Sequence, residues 1–101
     1  MPRKISEIQQ IIQKHEYRFS DHAVKRMIQR SIARHEVEEA VLKGEIIEDY
    51  PEDKYSPSCL IYGQTEAGRD LHIQASFPPK VIVITLYEPD PEKWIDCRIR
   101  R

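Results

Sequence analysis

Asp70-Leu71-His72-Ile73-Gln74-Ala75-Ser76-Phe77 is the stretch on which the fold turns. Leu71, Ile73, Ala75 and Phe77 alternate without a break with Asp70, His72, Gln74 and Ser76, the period of two that marks a β-strand with one buried face. Such half-buried strands belong to antiparallel sheets, and the sequence supplies neighbours on both sides. Upstream, Cys59 to Thr65 reads as a strand. Glu66-Ala67-Gly68-Arg69 then makes a hairpin turn with Gly68 in the left-handed position. Downstream, Pro78-Pro79 turns a corner, and Lys80 to Glu88 is dense in β-branched residues (Val81, Ile82, Val83, Ile84, Thr85), as expected of a central strand. Thr85 and Tyr87 are expected to share a face with Val81 and Val83, and Pro89 and Pro91 end the strand. Ile46-Ile47 starts a further short strand or extended segment, stopped by Asp49-Tyr50-Pro51. Residues 51–57, with two prolines and several charges, are a loop.

Ahead of the strands the period changes to that of a helix. Ile5, Ile8, Ile11 and Ile12 predict a first helix from about Lys4 to Lys14. Tyr17-Arg18-Phe19 is a short extended link. Ser20 is a good N-cap and Asp21 suits the positive end of a helix dipole, while Phe19 and Val24 are placed as a hydrophobic staple. The second helix runs from about Asp21 to Arg30, with Ala23, Val24, Met27 and Ile28 expected to face inward. After Ser31-Ile32-Ala33, a third helix from about Arg34 to Lys43 buries Val37, Ala40 and Val41, and Gly44 stops it. The expectation is one α+β domain over residues 1–101, with two to three N-terminal helices packed on a small antiparallel sheet of three to four strands.

Composition narrows the function classes. The chain is 40% apolar and 33% charged, which suits a folded domain with a charged surface. No apolar run approaches the ~20 residues of a membrane helix. The Met1-Pro2-Arg3-Lys4 start leads into an amphipathic stretch rather than a signal-peptide core, so a cytoplasmic location with no membrane partner is expected. Cys59 and Cys97 have no CxxC spacing and read as reduced thiols. The four histidines (His15, His22, His35, His72) make no zinc pattern with them, and neither a metal nor a cofactor is expected. Net charge is −1, which counts against tight nonspecific RNA binding. The distribution is uneven. Residues 1–44 carry nine Lys/Arg against six Asp/Glu, and residues 45–101 carry seven against eleven. Arg98, Arg100 and Arg101 form a basic tail, so a phosphate-binding surface is expected from the helical half and the tail.

Within that half, His22, Arg26 and Arg30 stand at i, i+4 and i+8 and drift only ~40° per step, making one polar stripe. Two planar guanidiniums match phosphate oxygens, and an imidazole moves protons near neutral pH. The same stripe is also what a solvated helix face looks like. The sheet adds His72 and Gln74 on one strand and Thr85 and Tyr87 on another. If their face is the open one, His72 and Tyr87 converge on a groove. Otherwise Tyr87 packs in the core and His72 is merely exposed.

The string Phe19-Ser20-Asp21-His22-Ala23-x-x-Arg26-Met27-x-x-Arg30-x-Ile32, then Glu36-Val37-Glu38-Glu39-Ala40, Gly44-Glu45-Ile46-Ile47-Glu48-Asp49-Tyr50-Pro51, Leu71-His72 and Val83-Ile84-Thr85-Leu86-Tyr87-Glu88-Pro89 resembles the domain-of-unknown-function family 4258 over roughly residues 19–90. Where the family often has glycine before the isoleucine after the second helix, Ser31 stands here. The family looks related to the RelE-like and MqsR-like messenger-RNA interferase toxins. That relation implies helices on one face of a small antiparallel sheet, metal-independent RNA cleavage and a cognate antitoxin partner. It carries His22, Arg26, Arg30, His72 and Tyr87 over as catalytic candidates. In that reading a ribose 2′-hydroxyl attacks the neighbouring phosphorus. His22 or His72 is the base, Tyr87 or the other histidine the acid, and the two arginines hold the phosphate. The alternatives are a non-catalytic module binding protein or RNA, and an accessory or immunity-type protein docking through an edge strand or its tail. Trp94, Ile95 and Ile99 in that tail are expected to pack back on the domain.

Overall fold

The apolar periodicities resolve into three helices and one main sheet in the computed structural model, which describes residues 3–54 and 56–101. Met1, Pro2 and Tyr55, read above as part of the N-terminal lead and the loop, lie outside the described residues. The elements in chain order are α1 (Ile5–Gln13), β1 (Arg18–Phe19), α2 (Asp21–Arg30), α3 (Arg34–Lys43), β2 (Glu45–Tyr50), β3 (Ser58–Gln64), β4 (Asp70–Ser76), β5 (Ile82–Tyr87), β6 (Trp94–Ile95) and β7 (Ile99–Arg100). The five-stranded sheet has the order β1-β5-β4-β3-β2. All neighbours are antiparallel except β1, which runs parallel to β5, and β6 and β7 form a separate hairpin. The protein is therefore α+β. Among the described residues no helix is long and apolar enough to cross a membrane.

The helices cover one face of the sheet. Ile8 and Ile12 of α1, Ala23 of α2, and Val37, Ala40 and Val41 of α3 are buried against Ile61, Leu71, Ile73, Ala75, Val83 and Leu86. The closest approach is at Gly63, where a Cβ would lie 1.8 Å from the carbonyl oxygen of Ala40, so the α3–β3 crossing leaves no room for a side chain. The Gln9 amide donates to the Val41 and Leu42 carbonyls at 3.0 and 3.3 Å, satisfying acceptors that the end of α3 leaves open. Glu38 accepts from Tyr17 at 2.7 Å and from His15 at 3.0 Å, bracing the end of α1 against α3. Leu71, Ile73, Ala75 and Phe77 are buried as their alternation predicts, but the strand is not half-buried, since His72 and Ser76 on its other face are buried too; Gly68 takes φ +86 in the turn before it.

Gly44 ends α3 as expected, with an extended backbone (φ −87, ψ 178). The β-branched strand β5 is interior as expected, with β4 on one side and the two-residue β1 on the other. Two further expectations need correction. Val24 and Ile28 do not face inward but are 42% and 75% exposed, because α2 rides on the sheet edge and only Ala23 is buried. Thr85 and Tyr87 do not share a face with Val83. Pairing runs Gln74↔Thr85 and then Ala75↔Val83, so Ile84 is the extra residue of a β-bulge and inverts the parity of the strand.

The second sheet face is covered too. The arm after β5 folds back through the β6–β7 hairpin and buries Trp94 over His72, with ring centroids 4.4 Å apart and planes perpendicular. The tail thus packs on the domain through Trp94, while Ile95 and Ile99 stay 41% and 63% exposed.

Candidate functional site

Helix α2 lies along β5 because both its ends are tied down. At its start the Ser20 hydroxyl accepts from the Ala23 amide at 3.0 Å, as an N-cap does, and donates to the Ile84 carbonyl on the bulge at 2.7 Å. At its end the Arg69 guanidinium donates to the Arg30 and Ser31 carbonyls at 2.8 and 3.0 Å. The same guanidinium pairs with Glu36 at 3.3 Å and Glu88 at 3.1 Å. One side chain from the β3–β4 turn thereby joins α2, α3 and the end of β5.

Between this helix, the end of β5 and the arm is a cleft of about 560 Å³. Arg26 and Arg30 line it from the helix, Tyr87 from the strand, and Lys93, Trp94 and Arg100 from the arm. Glu88 and Asp90 also line it, but Glu88 is bound by Arg69 and the Asp90 carboxylate accepts from the Glu92 amide at 2.9 Å. Arg100 is likewise engaged, with Glu48 at 2.8 Å and over the Trp94 ring at 4.6 Å. Arg26 and Arg30 make no ion pair with the described residues. The cleft thus sets two guanidiniums that lack an ion-pair partner beside a phenol, in a lining of four cationic and two anionic side chains. That is the chemistry of an oxyanion or phosphate site.

Behind Tyr87 sits His72, fully buried among Tyr62, Tyr87 and Trp94. Its Nε2 is 2.5 Å from the Cys97 carbonyl oxygen. A carbonyl only accepts, so Nε2 carries the proton and Nδ1 is left as an acceptor facing the Tyr87 hydroxyl at 3.4 Å. Burial pushes the His72 pKa down, against the favourable charges of Glu48 and Asp70, so the ring is neutral at neutral pH. Burial raises the Tyr87 pKa, so that phenol keeps its proton.

Of the five residues singled out in the sequence, the fold brings Arg26, Arg30 and Tyr87 to one cleft and sets His72 directly behind it. His22 is elsewhere: it lines a neighbouring apolar trough with Ile82 and Ile84. Gln74 is consumed internally, donating to Asp53 and Ser58 at 3.2 Å each. Sequence reading did not single out Arg69, Lys93 or Trp94 as parts of the site, whereas Arg100 belongs to the basic tail from which a phosphate-binding surface was expected. Trp94 carried a signal only as one of three apolar residues of the tail, with Ile95 and Ile99, expected to pack back on the domain. Among the described residues no three His, Cys, Asp or Glu side chains are grouped to hold a metal ion.

Fold and cleft together define a small α+β domain with a basic, tyrosine-floored groove at the seam between a helix and a C-terminal arm. The chain belongs to the family described as Domain of unknown function (DUF4258), whose model matches residues 19–88. Comparison with curated proteins and with solved structures gives no match. Arg26, Arg30, His72 and Tyr87 fall inside the matched span, and the arm that closes the cleft falls outside it.

Proposed function

We propose that the cleft binds the phosphodiester backbone of RNA and that the protein acts as a toxin-like, metal-independent endoribonuclease. The observation that carries this reading is the convergence of two unpaired guanidiniums, Arg26 and Arg30, with a phenol backed by a neutral imidazole. The arginines grip the phosphate and stabilise the charge that grows on its oxygens. The 2′-oxygen attacks phosphorus and the bond to the 5′-oxygen breaks, leaving a 2′,3′-cyclic phosphate and a 5′-hydroxyl. Tyr87 takes the 2′-proton while passing its own to His72 Nδ1, and the pair returns one proton to the departing 5′-oxygen. Glu48 and Asp70 favour the buried imidazolium formed in between, while burial and the Arg100 charge oppose it, so it is a short-lived carrier of the proton. A relation of this family to RelE-like and MqsR-like toxins, drawn by analogy at fold level, adds a cognate antitoxin as partner and the cytoplasm as place of action.

A second reading, a non-catalytic RNA- or protein-binding module, is favoured by one observation: His72 is sealed from solvent and His22 lines a different depression. End-labelled RNA separates the two. Cleavage predicts discrete fragments with cyclic phosphate ends. Arg26→Ala then slows their appearance by on the order of 10²–10³, and Tyr87→Phe abolishes it with binding retained. Retarded but intact RNA selects the binding module, and RNA that is not retarded even at low salt removes the cleft reading altogether.

A further inference from the structure

His22 begins the α2 stripe that ends in the cleft, yet the mechanism leaves it unused. It lines a trough of about 530 Å³ whose other walls include Pro79, Lys80, Ile82 and Ile84. The trough's polar atoms are largely spent. Ser20 is committed to Ala23 and Ile84, and Ser76 donates to the Lys80 carbonyl at 2.7 Å while accepting from the Ile82 amide at 2.9 Å. The walls therefore offer carbon. The His22 imidazole is exposed and bonded to none of the described residues. At a rise of ~1.5 Å per residue, His22 lies ~6 Å along the helix from Arg26 and ~12 Å from Arg30. On the opposite wall, β5 passes from Ile82 and Ile84 at the trough to Tyr87 at the cleft. A basic depression and an apolar one thus adjoin along a single helix–strand seam, at a spacing that suits a phosphate and the base attached to its nucleotide.

We infer that the His22 trough is a nucleobase subsite, taking one unpaired base of the RNA strand whose phosphate lies on Arg26 and Arg30. It rests on the RNA reading of the cleft and gives His22 a stacking role in place of an acid–base one. A flat ring fits between an imidazole and branched aliphatic walls without needing polar partners, and stacking of this kind tolerates any base. Specificity at this position comes from ring size and stacking strength.

The test is fluorescence anisotropy with a labelled oligouridylate and a labelled ribose-phosphate oligomer of equal length lacking bases. The wild-type protein is expected to bind the base-bearing strand about tenfold more tightly. His22→Ala removes that preference and leaves the affinity for the abasic strand and the salt dependence unchanged, because the phosphate contacts remain. His22→Phe restores the preference and retains cleavage. The subsite is overturned if His22→Ala discriminates as the wild type does. It is also overturned if His22→Phe binds normally but no longer cleaves, which returns His22 to proton transfer. Binding of neither strand overturns the RNA reading of the cleft and this inference with it.

Discussion

The two faces of the sheet are covered by different physics. Under the helices, Ile61, Leu71, Ile73, Ala75, Val83 and Leu86 are all fully buried, and the cover is held by close packing, at ~25 cal/mol per Å² of apolar surface removed from water. Under the arm the sheet presents Tyr62, His72 and Tyr87, and the cover is one indole and two arginines. Arg98 reaches Glu45 at 2.5 Å and lies 4.8 Å over the Tyr62 ring, and Arg100 reaches Glu48 and lies over Trp94. The two arginine contacts are partly exposed and contribute only about 0.5–1 kcal/mol each, so the buried indole of Trp94 is the arm's main anchor. The helix side therefore sets global stability, while the arm is a cover that can come away locally. Because the cleft lies on the seam between them, any activity there depends on the weaker side.

The largest expected effect tests the stronger side. Gly63→Ala drives a methyl into the Ala40 backbone, which cannot move without shifting α3. The cost is about 3 kcal/mol or more, a fall in Tm of more than ~12 °C, read by calorimetry. A melt within a few degrees of wild type refutes the tight α3–β3 crossing. Trp94→Ala tests the weaker side. Its cost to the core is capped by the free energy with which the arm is docked, because losing the buried indole releases the arm locally before the core unfolds. The core should melt only a few degrees lower, while trypsin cuts after Lys93 and RNA affinity falls. If Trp94→Ala melts as low as Gly63→Ala, the arm is part of the cooperative core and the contrast fails.

The same contrast explains what could be read from the sequence. The helix-covered face was legible because burial leaves a period: Leu71, Ile73, Ala75 and Phe77 at two, Val37, Ala40 and Val41 at helical spacing. Arg26, Arg30 and Tyr87 were legible as chemistry, and α2 matches its predicted span because Ser20 caps it. The arm-covered face was not legible, since Trp94 on His72 and Arg100 on Glu48 are long-range pairings with no local pattern. The outward turn of Val24 and Ile28 was missed because periodicity gives the width of an apolar stripe and not how much sheet lies beneath it. The bulge at Ile84 inverted the expected faces of β5, because one extra residue leaves no mark in an alternation of β-branched side chains.

Acid should release the arm before the core. Burial lowers the His72 pKa, so the unfolded or detached chain binds more protons. The arm is fully held above the ordinary histidine value of about 6.5 and loses stability as pH falls below it. Glu48 is held below the usual carboxylate range by Arg100, and Asp70 by Tyr62 and Gln64. Their contributions are present above the unfolded carboxylate pKa of about 4 and vanish as pH falls through the folded values. All three shifts weaken the arm in the same direction, in two steps. The single tryptophan makes this measurable. Trp94 emission should shift to the red from about pH 6 downward while far-UV circular dichroism holds. Coincident transitions would break the distinction between the faces.

The smallest effect sharpens the comparison from the helix side. Ser31 closes α2 in the left-handed region, at φ 53 and ψ 47. There an L side chain is disfavoured by ~1–2 kcal/mol, against which glycine gives back ~0.5–1 in unfolded-chain entropy. Ser31→Gly keeps the backbone carbonyl that Arg69 binds, so nothing else at this end of α2 is lost. The net gain is roughly 0.5–1 kcal/mol, a rise in Tm of about 3–6 °C. None of it should reach the arm, because Ser31 contacts no residue that holds Trp94, so the pH midpoint of Trp94 emission stays where it was. A melt that rises together with a matching acid shift of the midpoint would mean that the two faces unfold as one unit, and the cleft would then be as firmly built as the core.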